Sequence, residues 1–429
     1  MTHSVQSMRV PPVGYAWSRF GQPEYTDWLD ESLSWKTTCY IGDWSFLWQH
    51  RFSGPDALRL FSDYSVNSLE VFRHGQSKHL VHTNADGKVV HEGILTRFGD
   101  DDYVLHGRGG FWLDHQAGRG SYDVTIARED WFVYQVSGPT SIKVLQRLTG
   151  SEDLLTTPYM HVTPVTIAGH DIWALRQGMA GEAGFELQGP AEVGPEVYAA
   201  VLAAGQEFGI RRMGGRVAPI NHLEACVPTI ATDYIPAVFE PDLSDYLDVF
   251  TASMPANAQP AYIAGSYPGR EISEYYRSPV ELGWGRNVRF DHDFLGRAAL
   301  EEEKADPRRV IRSLEWDADD VSDVYASLFD PARRHHTFMD LPRDQRGFMW
   351  ADRVERAGRL VGVATSRGFS YSSRRMLSLA TMDLDSAEVG TEVEVVWGNP
   401  GDPEKVIRAT VAPAPYKPDA SRGDLTALR

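Results

Sequence analysis

Cysteine is nearly absent from this 429-residue chain: Cys39 and Cys226 are the only two. Neither belongs to a Cys-x-x-Cys pair or stands among histidines, which argues against a disulfide framework and a structural zinc site. Both read as small buried hydrophobes. Basic charge is also short, with 42 Lys and Arg against 59 Asp and Glu and a formal net charge of −17. Binding phosphates needs clustered cations, so no nucleic-acid partner is expected. No apolar run approaches the ~20 residues of a membrane span, so no membrane partner is expected either. The stretch Met1–Met8 lacks the basic and apolar segments of a secretory signal. Together these absences read as a cytoplasmic protein of a reducing compartment. Walker loop, nucleophile elbow and dinucleotide fingerprint are missing too. The adjacent pair His335-His336 has no third ligand at a useful spacing, so no metal is expected.

What the chain has is length and aromatic bulk. At 429 residues, 42% hydrophobic, with 12 Trp, 18 Tyr and 18 Phe, it calls for two or three packed domains. A loose repeat recurs. Arg51-Phe-Ser-Gly-Pro-Asp-Ala-Leu-Arg-Leu-Phe61 and Gln135-Val-Ser-Gly-Pro-Thr-Ser-Ile-Lys-Val-Leu145 each read as a strand end, Ser-Gly-Pro, then a helix. Leu187-Gln-Gly-Pro190 opens a third copy. Proline is expected just inside each helix start, where its missing N–H costs nothing, with Asp56 and Thr140 in or near the first turn. Such units predict α+β subdomains with mixed or antiparallel sheets. Leu80–Val90 reads as a hairpin turning at Asp86-Gly87, with Gly93–Phe98 and Asp102–His106 as two further strands. Past residue 305 the short strands Val361–Thr365, Arg375–Thr381, Thr391–Trp397 and Val406–Val411 predict a small β-barrel or sandwich.

The segment richest in chemistry is Arg176-Gln-Gly-Met-Ala-Gly-Glu-Ala-Gly-Phe-Glu-Leu-Gln-Gly-Pro190. Its glycines let the backbone bend sharply and approach a flat ligand. Glu186, between Phe185 and Leu187 on an expected strand, points away from both apolar neighbours. A carboxylate there can accept two N–H bonds side by side, as an aminopyrimidine edge presents them. A Gly-rich hairpin with an exposed Glu is the plainer reading of the same residues.

This segment resembles the pterin-binding hairpin of the aminomethyltransferase family, the folate-dependent T-protein of glycine cleavage and its relatives. The chain from about Trp28 to about Lys417 is similar to the tetrahydrofolate-dependent aromatic O-demethylases of the vanillate/3-O-methylgallate type. The similarity runs in order through Gly54-Pro-Asp-Ala-Leu58, Arg176-x-Gly-Met-Ala-Gly181, Glu274-x-Tyr276, Phe290-Asp-His-Asp-Phe-x-Gly-Arg297, Tyr325-Ala-Ser-Leu-Phe-Asp330, Gly368-Phe-Ser-Tyr371 and Leu377-Ser-Leu-Ala380. The resemblance implies a three-domain ring. Residues 1–305 would form two interleaved α+β subdomains, roughly 1–52 with 135–222 and 53–134 with 223–305, followed by a C-terminal β-barrel over 306–429. It implies tetrahydrofolate as cofactor and a small aromatic molecule as substrate, whose methyl or methylene carbon passes from oxygen to N5 of the folate. It carries no reading of oligomeric state.

By the same resemblance Glu186 is the pterin ligand, with Met179 in the same segment. Glu224, in His222-Leu-Glu-Ala225, is a ligand contact or a helix cap. Tyr276 and Trp284 fall in a folate-channel region, where Trp284 either stacks on the aminobenzoyl ring or packs in a core. Arg108, in Val104-Leu-His-Gly-Arg108, matches an arginine near the reacting end of folate, able to hold a carboxylate or steady a phenolate. Several positions depart from the family. Thr96 and Arg97 stand where glycine-cleavage relatives carry an acidic pair, which removes aminomethyl chemistry. Trp44-Ser-Phe-Leu-Trp-Gln-His50 replaces a Gln and His, Phe239 replaces a phenol-contacting Tyr, and Ala16 and Ser18, beside Tyr15 and Trp17, replace aromatics. Trp44, Phe46, Trp48 and Phe239 would then line a pocket more apolar than one for vanillate, or one that holds its substrate differently; an ordinary buried strand is the other reading of Trp44–Trp48. His50, Tyr234 and Asp233 are candidate proton donors. Two rival functions stand beside this one: demethylation of an N- or S-methyl donor of betaine or sulfonium type, and a non-catalytic folate-binding scaffold.

Overall fold

The computed structural model describes residues 3–10, 19–252 and 261–428; Tyr15, Ala16, Trp17 and Ser18 lie outside them. Alternating apolar residues build a first, six-stranded sheet in the order Ile210–Arg212, Cys39–Asp43, Trp131–Ser137, Gly184–Pro190, His170–Leu175, Val162–Ile167. Its one parallel pair joins Cys39–Asp43 to Ile210–Arg212, and the others are antiparallel. Because side chains alternate across a strand, Ile41, Val136, Phe185 and Leu187 face one way, into a core shared with helices Ser141–Thr149 and Gly194–Gly205. Tyr40, Gln135, Glu186 and Gln188 face the other way, with Tyr40 packed among Trp35, Ala218 and Ile220 and Gln188 turned to His106 of the second sheet.

That second sheet is antiparallel, ordered Ser77–Thr83, Val89–Arg97, Asp102–Gly107, Gln49–Ser53, Thr125–Glu129. Phe52, Leu80, Leu95, Tyr103 and Leu105 bury one face against helices Ala57–Asp63 and Gly109–Arg119. The two sheets meet through rings: Phe98 lies 5.0 Å from Trp173 and 5.9 Å from Trp131, and His106 lies 5.8 Å from Trp131. Sheet membership changes in the turn after Asp43 and again before Trp131.

A closed six-stranded barrel follows, ordered Arg309–Trp316, Arg375–Asp383, Arg359–Ser370, Asp352–Arg356, Glu392–Trp397, Lys405–Ala412. Leu314, Trp316, Val354, Met382, Val395 and Trp397 fill it. Beyond the barrel the chain returns to the first sheet. Lys417 Nζ pairs with Glu182 at 3.0 Å, the Ala420 N–H donates to the Gly181 carbonyl at 2.8 Å, and Leu425 enters the first core.

All three expected strand–helix units are present, over Gln49–Ser53 and Ala57–Asp63, Trp131–Ser137 and Ser141–Thr149, and Gly184–Pro190 and Gly194–Gly205. Pro55 and Pro139 stand before the N-cap residues Asp56 and Thr140 rather than inside the helix, and neither cap side chain bonds the first turn. The Asp86-Gly87 hairpin forms between Ser77–Thr83 and Val89–Arg97. Its second strand runs straight through Gly93, so Gly93–Phe98 is not a separate strand. Trp44–Trp48 is a turn between strands of different sheets, not a buried strand. The barrel strands Arg309–Trp316 and Asp352–Arg356 were not foreseen; charges at 309, 312 and 315 and at 352, 353, 355 and 356 break their apolar pattern and make them look like surface chain. Among the described residues no helix is long and apolar enough to cross a membrane.

Candidate functional site

Glu186 lies on strand Gly184–Pro190, opposite Gln135 on one side and Leu175 on the other. The strand pleat turns it off the helix-covered face, so it is buried without joining the apolar core. Its carboxylate accepts from Gln177 Nε2 at 2.9 Å, and no cation pairs with it among the described residues. Burial pushes its pKa up to about 7, with the Gln177 bond opposing the rise. Nearby polar groups are also short of partners: Gln135 Nε2 has none, and the Gln188 side chain and the His106 ring have only each other. Gln135 Oε1 accepts from the Tyr40 hydroxyl. Buried polar groups are normally satisfied, which makes the under-partnered groups on this face exceptional. Met179, half-buried in the Gly178–Ala183 bend, packs with Phe20, Tyr40, Trp44 and Val133 at its edge.

A carboxylate whose folded pKa lies above its unfolded one costs stability as pH climbs from the unfolded value to the folded one. For Glu186 that window runs from the usual 4.5 to about 7. Glu186→Gln is therefore expected to melt like the parent at pH 4 and to be more stable at pH 8 by roughly 2–3 kcal/mol. Ligand-free thermal melts at the two pH values check this, and equal stability at both would remove the buried charge.

Arg108 is the N-cap of helix Gly109–Arg119, delivered by Gly107 at φ 121. Its guanidinium lies 5.7 Å from the Trp48 ring and 5.6 Å from that of Phe250. Nη1 is buried without a partner, and burial lowers the pKa, with Arg19 adding to the effect and Tyr246, Tyr234 and Glu92 opposing it. The Tyr234 hydroxyl is likewise buried and unpartnered; burial first and Glu92 second hold it protonated. The His50 ring sits against Gly110, where an added Cβ would come within 2.2 Å of Nδ1, and 4.8 Å from Phe111. Burial and then Arg128 push its pKa down to about 4, so it is a neutral imidazole at pH 7. Asp233 is engaged elsewhere, accepting from Thr365 at 2.7 Å and from the Thr229 N–H at 2.8 Å.

Other expected residues are not brought together. Glu224 has both oxygens taken: Oε1 accepts from Ser370 and Ser372, while Oε2 accepts from Trp35 Nε1 at 2.9 Å and meets Lys36 at 3.5 Å. That makes it a clasp between helix Trp28–Thr37, helix Ala218–Ala225 and the barrel, with no lone pair turned to a ligand; nor is it a helix cap, since it lies in the last turn. Trp44 and Phe46 pack on Phe20, and Trp44 stacks with His222 at 6.2 Å, whereas Trp48 turns to Phe111 at 5.3 Å. Phe239 and Tyr276 belong to the same cluster as Phe111, apart from Trp44 and Phe46. Trp284 packs on His79 at 4.9 Å and near Tyr234 at 6.1 Å. The expected four-ring pocket is thus divided, because the turn at 44–48 sends its two tryptophans to different sheets. Thr96 bonds Ser77, and Arg97 bonds the Phe72 carbonyl, so both are structural. A carboxylate the sequence reading missed, Glu92, pairs with His79 at 3.1 Å and is felt by Tyr234 and Arg108; its strand position one register from Gly93 was the available signal.

Comparison with known proteins bears on the family and the fold. Residues 11–242 match the family model GCV_T, the GCVT N-terminal domain. The chain is 32% identical to sesamin methylene transferase of Sinomonas sp., over 92% of its own length and 89% of that protein's. It is 30% identical to syringate O-demethylase of Sphingobium sp., over 93% and 90%. Aminomethyltransferase T of the glycine cleavage system from Bartonella henselae shares the fold, with a TM-score of 0.67 at 17% identity, covering 97% of this chain and 96% of that one. With its family match, its sheets and its closed barrel in agreement, the chain belongs to the GCVT family and has the aminomethyltransferase fold.

Proposed function

We propose that the protein is a tetrahydrofolate-dependent demethylase that takes a methyl or methylene carbon from the oxygen of a methoxylated or methylenedioxy aromatic compound. The observation that carries this reading is the pairing of two half-built sites. One is a buried carboxylate with a single donor, Glu186; the other is a buried guanidinium with no anionic partner, Arg108. Relatives named for methylene transfer and for O-demethylation support it. The residues around Glu186 fit a pterin: a carboxylate with free acceptor capacity, beside the unpartnered Gln135 Nε2 and a Gln188 amide that meets only the His106 ring. Bound there, tetrahydrofolate supplies the nucleophilic N5 that accepts the carbon.

The chain's own part is positioning and charge. Glu186, ionised, accepts paired N–H bonds from the pteridine edge, and the Gln177 bond fixes its rotamer. Arg108 and the Tyr234 hydroxyl are donors held in a buried setting, and they steady the negative charge that develops on the leaving oxygen. Trp48, Phe111 and Phe250 keep water from that oxygen. A betaine or sulfonium donor fits less well: a cation asks for an aromatic cage, but Trp48 has guanidinium groups on it, Arg108 at 5.7 Å and Arg19 at 6.0 Å.

The test is turnover. Purified protein, tetrahydrofolate and a panel of aryl methyl ethers and methylenedioxy arenes are expected to yield 5-methyl- or 5,10-methylene-tetrahydrofolate with the matching phenol. A panel that leaves folate unmodified, while N- or S-methyl donors are consumed, would transfer the assignment to the rival chemistry.

A further inference from the structure

Helix Gly109–Arg119 carries more than its Arg108 cap. Arg108, Trp112, His115 and Arg119 follow one another at helical spacing, which puts them on one face. That face packs on helix Ser244–Ala252: the Tyr246 ring lies 5.2 Å from Trp112 and 5.2 Å from His115. His91, on strand Val89–Arg97, lies 5.8 Å from Tyr246 and 5.3 Å from Phe250. Phe250 in turn has the Arg108 guanidinium 5.6 Å from its ring. At the far end His115 Nε2 stands 3.6 Å from Asp245, whose exposed carboxylate grips Arg119 at 2.6 Å.

Along this row both His91 ring nitrogens, the Tyr246 hydroxyl, Trp112 Nε1, His115 Nε2 and Arg108 Nη1 are buried without a hydrogen-bond partner among the described residues. Buried polar groups are nearly always satisfied, and internal water satisfies those that protein groups do not. A hydroxyl can accept one proton as it donates another, and a neutral imidazole can take one at one nitrogen while releasing one from the other. Burial holds His91 well below the ordinary histidine pKa, with Arg108 adding to the push, so it is such a neutral ring. Walls that keep bulk water from the reacting oxygen also cut it off from solvent protons.

Resting on the demethylase reading, we infer that Tyr246 and His91, bridged by internal water, form a proton row from Asp245 and His115 at the surface to the Arg108 end of the site. The row spans about 16 Å, the rise of the helix from Arg108 to Arg119. As the carbon passes to N5 of the folate, the ether oxygen keeps the bonding pair and takes one proton from the inner end of the row. A replacement enters from solvent at Asp245, and the proton that N5 carried returns to solvent, so the reaction as a whole neither gains nor loses one. Arg108 and Tyr234 steady the charge; the row supplies the proton.

Tyr246→Phe tests this in the full-length protein, because the ring stays on Trp112, His115 and Phe250 and only the hydroxyl goes. The variant is expected to melt as the parent does and to keep KM for tetrahydrofolate and for the ether. Its kcat on 3-methoxyphenol should fall by about a hundredfold. On 4-nitroanisole, whose phenolate leaves without needing a proton, kcat should stay near the parent's. An undiminished kcat, or an equal loss on both ethers, overturns the inference. A second measurement needs no turnover. In ligand-free protein carrying isotope-labelled histidine, nuclear magnetic resonance is expected to show the His91 ring N–H exchanging with water in the parent and much more slowly in Tyr246→Phe. A ring N–H already protected in the parent, or exchange untouched by the substitution, overturns the row. Exchange that depends on Tyr246 in a protein that demethylates no aryl ether supports the row, and the demethylase reading alone has then failed.

Discussion

Glu186→Ala is expected to abolish measurable tetrahydrofolate binding at micromolar ligand while leaving the protein folded. The carboxylate is the strongest acceptor on the inner face of the first sheet, and its loss removes two charge-assisted bonds worth about 1.5–3 kcal/mol each. Affinity should fall by about a hundredfold or more. The substitution also takes a charge out of a buried place, so melting should hold steady or rise at pH 8. This pairing of lost binding with retained stability separates a ligand contact from a packing residue. Calorimetric titration with the cofactor is the measurement, and an unchanged Kd would end the pterin assignment.

Arg108→Met should be nearly as damaging, through kcat instead of affinity. Methionine keeps the long apolar stem against Trp48 and Phe250 and deletes only the charge and the donors. Loss of one preorganised donor at a developing oxyanion costs about 10²–10³ in kcat. If the arginine acts there, the deficit depends on the leaving group: ethers of acidic phenols, such as nitro-substituted ones, need the donor least and should recover most of the rate. Arg108→Lys should recover part of it, since an ammonium keeps the charge and loses the planar fork. A uniform loss across all leaving groups would place Arg108 in substrate positioning and not in charge stabilisation.

Much of the fold was legible because its signals are local. The Ser-Gly-Pro punctuation, the Asp-Gly turn and the short strand-like run Arg375–Thr381 each announce an element within a dozen residues. Glu186 was legible for the same reason, since two apolar neighbours on a strand dictate where it points. The substrate side was less so. Trp44, Phe46 and Trp48 look like one aromatic stripe, but a turn between two sheets scatters them, and nothing in the heptapeptide says which ring goes where. Arg19, Arg128, Phe111 and Phe250 come from four separate stretches and meet only because the edge strand Thr125–Glu129 runs beside Gln49–Ser53. Glu224 misled in a different way: its local sequence is that of a ligand turn, while its partners Trp35 and Ser370 lie far off in the chain.

The return of the chain after the barrel bears on how this molecule comes to be folded at all. Leu425 and Leu428 seal a core whose other members end at Ile210, and Lys417 and Ala420 tie down the bend that leads into Glu186. Residues 1–305 expressed alone would keep both sheets' strands yet carry an unsealed flank. The bend leading into Glu186 is therefore held partly by chain that lies beyond the barrel, so truncation before residue 417 is expected to loosen that bend, read as a lower melting temperature.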